Sequence, residues 1–241
     1  MSITKAKDII LDRIDMEIIH GHNAIAVFMA IAEHSQILNK SVFKQVFGSM
    51  QKHALDAFIL SLCKLYEKPN TRYPNYSIPT TLELLQNDSS ELANKKIQDF
   101  LKLAKFIQAH IDPSFVVKNE SDIKCIPTVV IQYFDKEYPR IDEKNRQQDA
   151  KKLNKIFDAL KVLRDKRVAH NEEADISAHS KTSVKDALKL LAFAKTYVNI
   201  VGYGFFGFSM EGEVSPESFS PDKSVLWPKL NRMIGLLEQQ Y

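Results

Sequence analysis

The chain has 241 residues, 44% of them hydrophobic, and a net charge of +3. That is enough apolar material for one large core or two small ones, which excludes global disorder. Seven glycines and nine prolines are too few for a turn-rich β fold and favour long helices. The mild charge permits a polyanionic partner without demanding one.

Ile10, Ile14 and Ile18 fall four apart, and Ile25, Phe28, Met29 and Ala32 continue the spacing. This predicts helix over 3–33, with Gly21, between His20 and His22, as a candidate break. A second helix is predicted over 41–67. Its apolar stripe is Phe43, Phe47, Met50, Ala54, Phe58, Leu62 and Leu65. Residues 69–79 carry three prolines and read as a loop, followed by a short helix over 80–85. Ser90 or a neighbour caps the next helix, which stops at Ile111 before Pro113. Residues 114–138 read either as a strand pair, from Val116-Val117 and Val129-Val130-Ile131, or as a helix, with Pro127 and Pro139 setting short limits.

The clearest late helix spans 141–169, with Leu153, Ile156, Phe157, Leu160 and Leu163 as its stripe. A polar loop over 171–182 precedes a helix that starts at Ser183 and runs through Leu188, Leu191, Ala192 and Tyr197. Gly202, Gly204 and Gly207, interleaved with Tyr203, Phe205, Phe206 and Phe208, predict non-helical chain, since glycine costs about 1 kcal/mol per helical position. A loop through Pro221 then leads to a closing helix over 229–240. No repeat or linker stands out, so a single domain over 1–241 is expected.

Cys63 and Cys125 are far apart in apolar surroundings and read as reduced core residues, neither a disulfide framework nor a zinc site. His20 and His22 point to different sides of a helix, and the other histidines are scattered, so no metal and no cofactor is expected. No leader-like stretch and no run of about 18 apolar residues occurs, which predicts a cytoplasmic protein with no membrane partner. The Lys151-Lys152 pair with Lys155 reads as a solvated face.

The most informative run is Leu163-Arg164-Asp165-Lys166-Arg167-Val168-Ala169-His170-Asn171. Helical steps from Phe157 through Leu160 reach Arg164 and Arg167, so two arginines fall where the pattern asks for apolar residues. A charge there needs an ion-pair partner, a ligand or an interface. His170 stands at the helix end, where the macrodipole favours the imidazolium. The same position suits a histidine that merely caps the last carbonyls. An arginine that grips a phosphate beside a histidine that moves a proton suits RNA cleavage by 2′-hydroxyl attack. The aromatic residues at 203–208 suit either base stacking or a core plug, with the plug favoured.

Arg164, a polar Asp165 and His170 after five intervening residues match the signature of the HEPN family. Upstream, the run Lys64-Leu65-Tyr66-Glu67 closes a helix, and Ser77-Ile78-Pro79-Thr80-Thr81-Leu82 opens a short one. In these features the chain resembles the abortive-infection (AbiU-like) HEPN subgroup over residues 9–197, with 202–241 as a C-terminal extension.

The resemblance implies an all-α helical bundle of four or five helices that forms a homodimer. It implies a metal-independent endoribonuclease of antiphage defence or a toxin, acting on RNA with an antitoxin or nucleotidyltransferase partner. It also assigns Arg164, His170 and Asp165 to catalysis, and Arg167, Lys166 and Asn171 to weaker RNA contacts. Some relatives carry a modifiable tyrosine two places after the histidine. Here Glu172 stands there, so that modification is not carried over. Glu172 and Glu173 also favour the alternative, a non-catalytic HEPN dimer that serves as a scaffold.

Overall fold

The computed structural model describes residues 2–70, 72, 75–88, 92, 100–140, 151–169, 183–207 and 224–238. Among these the chain is all-α, with no strand. In chain order the helices are α1 (Ser2–Ile9), α2 (Asp15–Glu33), α3 (Ser35–Leu38), α4 (Lys44–Tyr66), α5 (Ile78–Asn87) and α6 (Phe100–His110). They continue as α7 (Glu120–Glu137), α8 (Lys152–Leu163), α9 (Val184–Tyr197), α10 (Tyr203–Phe206) and α11 (Trp227–Glu238). Three π-helical turns join or extend them: π1 (Ile10–Ile14), π2 (Arg164–Ala169) and π3 (Val198–Gly202). No described helix is long and apolar enough to cross a membrane.

The packing divides into two compact units. The first holds α1, π1, the last turn of α4, α5, α6, α7, the end of α9, π3 and α10. The second holds most of α2, α3, most of α4, α8, π2, most of α9 and α11.

In the first unit α1 packs on α5, and α5 and α6 both pack on α7. The open segment 114–138 is settled as helix from Glu120. Asn119 caps α7 by accepting from the Asp122 N–H at 3.1 Å, and Asp122 accepts from the Asn119 N–H at 3.1 Å. This reciprocal box satisfies two of the N–H groups that a helix start leaves open. Pro127 lies inside α7 and does not limit it. An interior proline costs about 3 kcal/mol, which the burial of Ile126, Pro127, Val130, Ile131 and Phe134 offsets. Val129 and its β-branched neighbours are thus helical because one face of this segment is a core face.

The start of α5 is held by hydroxyls. Ser77 accepts from the Thr80 N–H at 3.4 Å and donates to the Glu67 carbonyl at 2.6 Å, tying α5 to the residue after α4. Thr81 donates to the Ile78 carbonyl at 2.8 Å and accepts from the Tyr197 hydroxyl at 2.6 Å. Both side chains are buried, and burial pushes the Tyr197 phenol well up, so it stays a donor. Thr81→Val keeps the shape and removes the acceptor. It is expected to cost about 1–3 kcal/mol, read as a lowered urea midpoint. Unchanged stability would mean that the Tyr197 hydroxyl finds another partner.

The glycine-rich stretch corrects its prediction. Val198–Gly202 is a π turn and Tyr203–Phe206 a helical turn, so the chain is helical from Val184 to Phe206. Tertiary contact overrides propensity here. A Cβ on Gly204 would lie 2.5 Å from Leu103 Cδ2 and 2.8 Å from Leu103 Cγ, so glycine lets α10 approach α6. Among the described glycines only Gly207 takes the left-handed conformation, at φ 79°, where it ends the helix. Gly204→Ala is expected to destabilise by about 1–3 kcal/mol through overpacking against buried Leu103, seen as a lower melting temperature.

In the second unit Gly21 does not break α2, which runs unbroken to Glu33. A Cβ at Gly21 would sit 3.2 Å from Leu191 Cδ2 and 3.5 Å from Ser61 Cβ, so the residue serves close helix packing. The interruption of the first helical run is π1 instead, which adds a residue to one turn. Ile31, Leu38, Phe47 and Ile234 form a small core, joined by a 3.3 Å hydrogen bond between His34 Nε2 and Asn231 Oδ1. The predicted stripe of α4 is only partly inward. Phe47, Ala54, Phe58, Leu62 and Leu65 are buried, whereas Phe43 and Met50 face solvent. Cys63 is a buried thiol outside any disulfide, as expected. Cys125 is free but exposed on α7, which corrects its reading as a core residue.

Candidate functional site

The helix predicted over 141–169 is described from Lys152, and it changes character at the motif. Ile156, Phe157, Leu160 and Leu163 are its buried face. Arg164 then opens π2. A π turn closes its hydrogen bonds to the fifth residue along, so it holds one residue more than an α turn. The arginine therefore does not replace a core leucine, because buried Leu163 completes the stripe and Arg164 lies half-buried beside it.

The guanidinium has a defined partner. Arg164 Nε and Nη2 both donate to Asp165 Oδ1, at 2.9 and 2.7 Å. The side chains are 22% and 47% exposed, so the pair sits at the rim of the fold. Two nitrogens converging on one oxygen fix the guanidinium plane, which a single contact would leave free to turn. Lys166 follows, half-buried, in the same turn. Arg167 has its backbone in π2, while its side chain, His170 and Asn171 lie outside the described residues. The structure thus brings Arg164 and Asp165 together and describes no geometry for the histidine.

The start of α9 adds cations that periodicity alone did not join. Ser183 accepts from the Asp186 N–H at 3.1 Å and donates to Asp186 Oδ2 at 2.9 Å, and Lys189 Nζ reaches Asp186 Oδ1 at 2.5 Å. These donors pull the Asp186 carboxyl down to about 2. Lys152, from the start of α8, lies beside Lys189, which lowers the Lys152 ammonium from its usual range. Lys152 and Lys155 are exposed, so this face is solvated, with Lys151 half-buried at its start. The pairing of Lys152 with Lys189 had no local signal, because 36 residues separate the two.

Elsewhere the aromatic residues behave mainly as packing. Phe205 is buried against Phe206 edge to face, and Lys102 Nζ lies 4.2 Å from the Tyr203 ring centre and covers that face. Phe208 lies outside the described residues. His53 Nδ1 donates to the Ser49 carbonyl at 2.7 Å, and the His110 ring stacks at an angle on Phe106 and Tyr133. Among the described residues no three His, Cys, Asp or Glu side chains gather as a metal-ligand set.

No protein-family model, curated protein or solved structure matches the chain.

Proposed function

We propose that the chain is a HEPN-type endoribonuclease of antiphage defence or a toxin, working as a homodimer without a metal. The observation that carries the reading is the Arg164–Asp165 pair in the helical turn that ends the described segment 151–169, with Arg164 six residues before His170. Asp165 engages Nε and Nη2 and holds the plane of the group. Arg164 binds a non-bridging phosphate oxygen of RNA. His170 takes the proton of the 2′-hydroxyl, whose oxygen attacks the adjacent phosphorus. The bond to the 5′-oxygen breaks, and that oxygen receives a proton from an acid of the site. The products are a 2′,3′-cyclic phosphate and a 5′-hydroxyl. Arg164 stabilises the charge that builds on phosphate in the transition state. Arg167, Lys166 and Asn171 add weaker contacts to the RNA.

One observation favours a second reading. Asp165 already neutralises the edge of Arg164 that would otherwise meet a carboxylate or phosphate bidentately. In that reading the pair is a structural ion pair in a non-catalytic HEPN dimer that acts as a scaffold.

The test is incubation of the purified full chain with total cellular RNA in EDTA, beside Arg164→Ala and His170→Ala. The expected result is cleavage by the wild type alone, leaving cyclic-phosphate ends. Absence of cleavage at high protein concentration, with a folded dimer, would transfer support to the scaffold.

A further inference from the structure

We propose that the solvent-facing side of α4 docks an acidic amphipathic helix from a partner protein. Phe43, Val46, Met50, His53, Ala57 and Leu60 follow one another at intervals of three, four, three, four and three residues. This is the alternation with which one helix lines up along another. The first five are exposed and Leu60 is half-buried, so the fold leaves this line open rather than covering it. Phe43, Val46 and Met50 are 42%, 55% and 38% exposed, and Val42 beside them is 78% exposed. The other side of α4 is fully used by Phe47, Ala54, Phe58 and Leu62 in the core. The helix thus carries two apolar faces, one spent on the fold and one not.

Charge selects the occupant. From His34 to Leu55 the chain has no aspartate or glutamate, while Lys44 and Lys52 flank the line, Lys40 lies in the turn just before it, and all three are exposed. None of the three forms an ion pair with a described residue. A second copy would set these lysines against lysines. A helix with leucine-like residues in the same alternation and carboxylates beside them would pair with every one. Single-stranded RNA is served less well, because Phe43 is the only aromatic side chain on the line apart from the His53 ring, which is tied back to Ser49. A membrane is served less well because the apolar line is narrow, whereas interfacial helices bury a broad apolar face.

The test uses the full chain and a synthetic helical peptide of three heptads, with leucine at the seam and glutamate on both flanks. A peptide with lysine on the flanks is the comparison. The glutamate peptide is expected to bind with a dissociation constant on the order of 10 μM, weakening as salt rises. Val46→Glu with Met50→Glu, and separately Lys40→Glu with Lys44→Glu and Lys52→Glu, should each weaken it about tenfold or more. All five side chains are exposed, so melting temperatures should stay near wild type, which separates lost docking from lost fold. Equal binding of both peptides, no binding of the glutamate peptide, or indifference to the variants would overturn the proposal. So would capture by phosphatidylserine vesicles or an RNA oligonucleotide that Val46→Glu abolishes in place of peptide binding. Self-association of the chain abolished by Val46→Glu would assign the face to a second copy and overturn it too.

Discussion

Arg164→Ala is expected to slow RNA cleavage by about 10²–10³-fold, the usual effect of removing one donor aimed at developing charge. The fold should hardly notice. The ion pair it breaks is at the rim, with Asp165 nearly half exposed, and such pairs contribute about 1 kcal/mol or less. This contrast makes the variant informative. A large loss of rate with an unchanged melting temperature places Arg164 in the chemistry. Cleavage at the wild-type rate would remove it from the site. Asp165→Asn should be milder, because the amide oxygen still accepts from Nε and Nη2 but no longer offers a charge. Arg164→Lys should resemble the alanine variant, since an ammonium cannot present two fixed N–H groups to one oxygen while facing a phosphate. Initial rates on a fluorescent RNA, measured beside thermal melts, give both quantities from the same samples.

Phe134→Ala is expected to be the most destabilising of the changes considered, by about 3–5 kcal/mol. Phe134 is fully buried on α7 and stacks on Phe106 with ring centres 5.5 Å apart. It also meets Tyr197 edge to face at 5.2 Å and Phe193 at 5.8 Å. One ring therefore joins α6, α7 and the end of α9, and its removal leaves a cavity that three helices cannot close. A domain is stable by only about 5–15 kcal/mol, so the variant should approach the unfolding threshold. Phe134→Leu refills most of the volume and should cost less. The pair is measured by urea unfolding with the slope checked for two-state behaviour. A cost below about 1 kcal/mol for the alanine variant would show that the site collapses and that the ring is not central.

The helical class was legible from residue order alone. Scarce glycine and proline and the three-and-four spacing of isoleucine, leucine and phenylalanine suffice for that, because such spacing fills one side of a helix and no side of a strand. The same spacing marked the buried face of α8, but it set Arg164 on that face, whereas the π turn places the arginine half-buried beside it. It did not separate the two faces of α4. Phe43 and Met50 are apolar and suitably spaced yet solvent-facing, and only the position of neighbouring helices decides which side of a doubly apolar helix is covered.

Tertiary structure also decided the exceptions to local preference. Pro127 and Gly204 oppose helix by their own chemistry. Both are helical because burial along α7 and the close approach of Leu103 outweigh costs of about 1–3 kcal/mol. The three π turns had no periodic signature, since each adds a single residue to one turn and leaves the flanking pattern helical. Residue order by itself determined that this is a helical chain carrying an Arg-Asp pair ahead of a histidine. Only the packed fold decided that Asp165 turns back onto Arg164, that Lys152 meets Lys189, and that one face of α4 is left open, because each depends on contacts or exposure that no local pattern records.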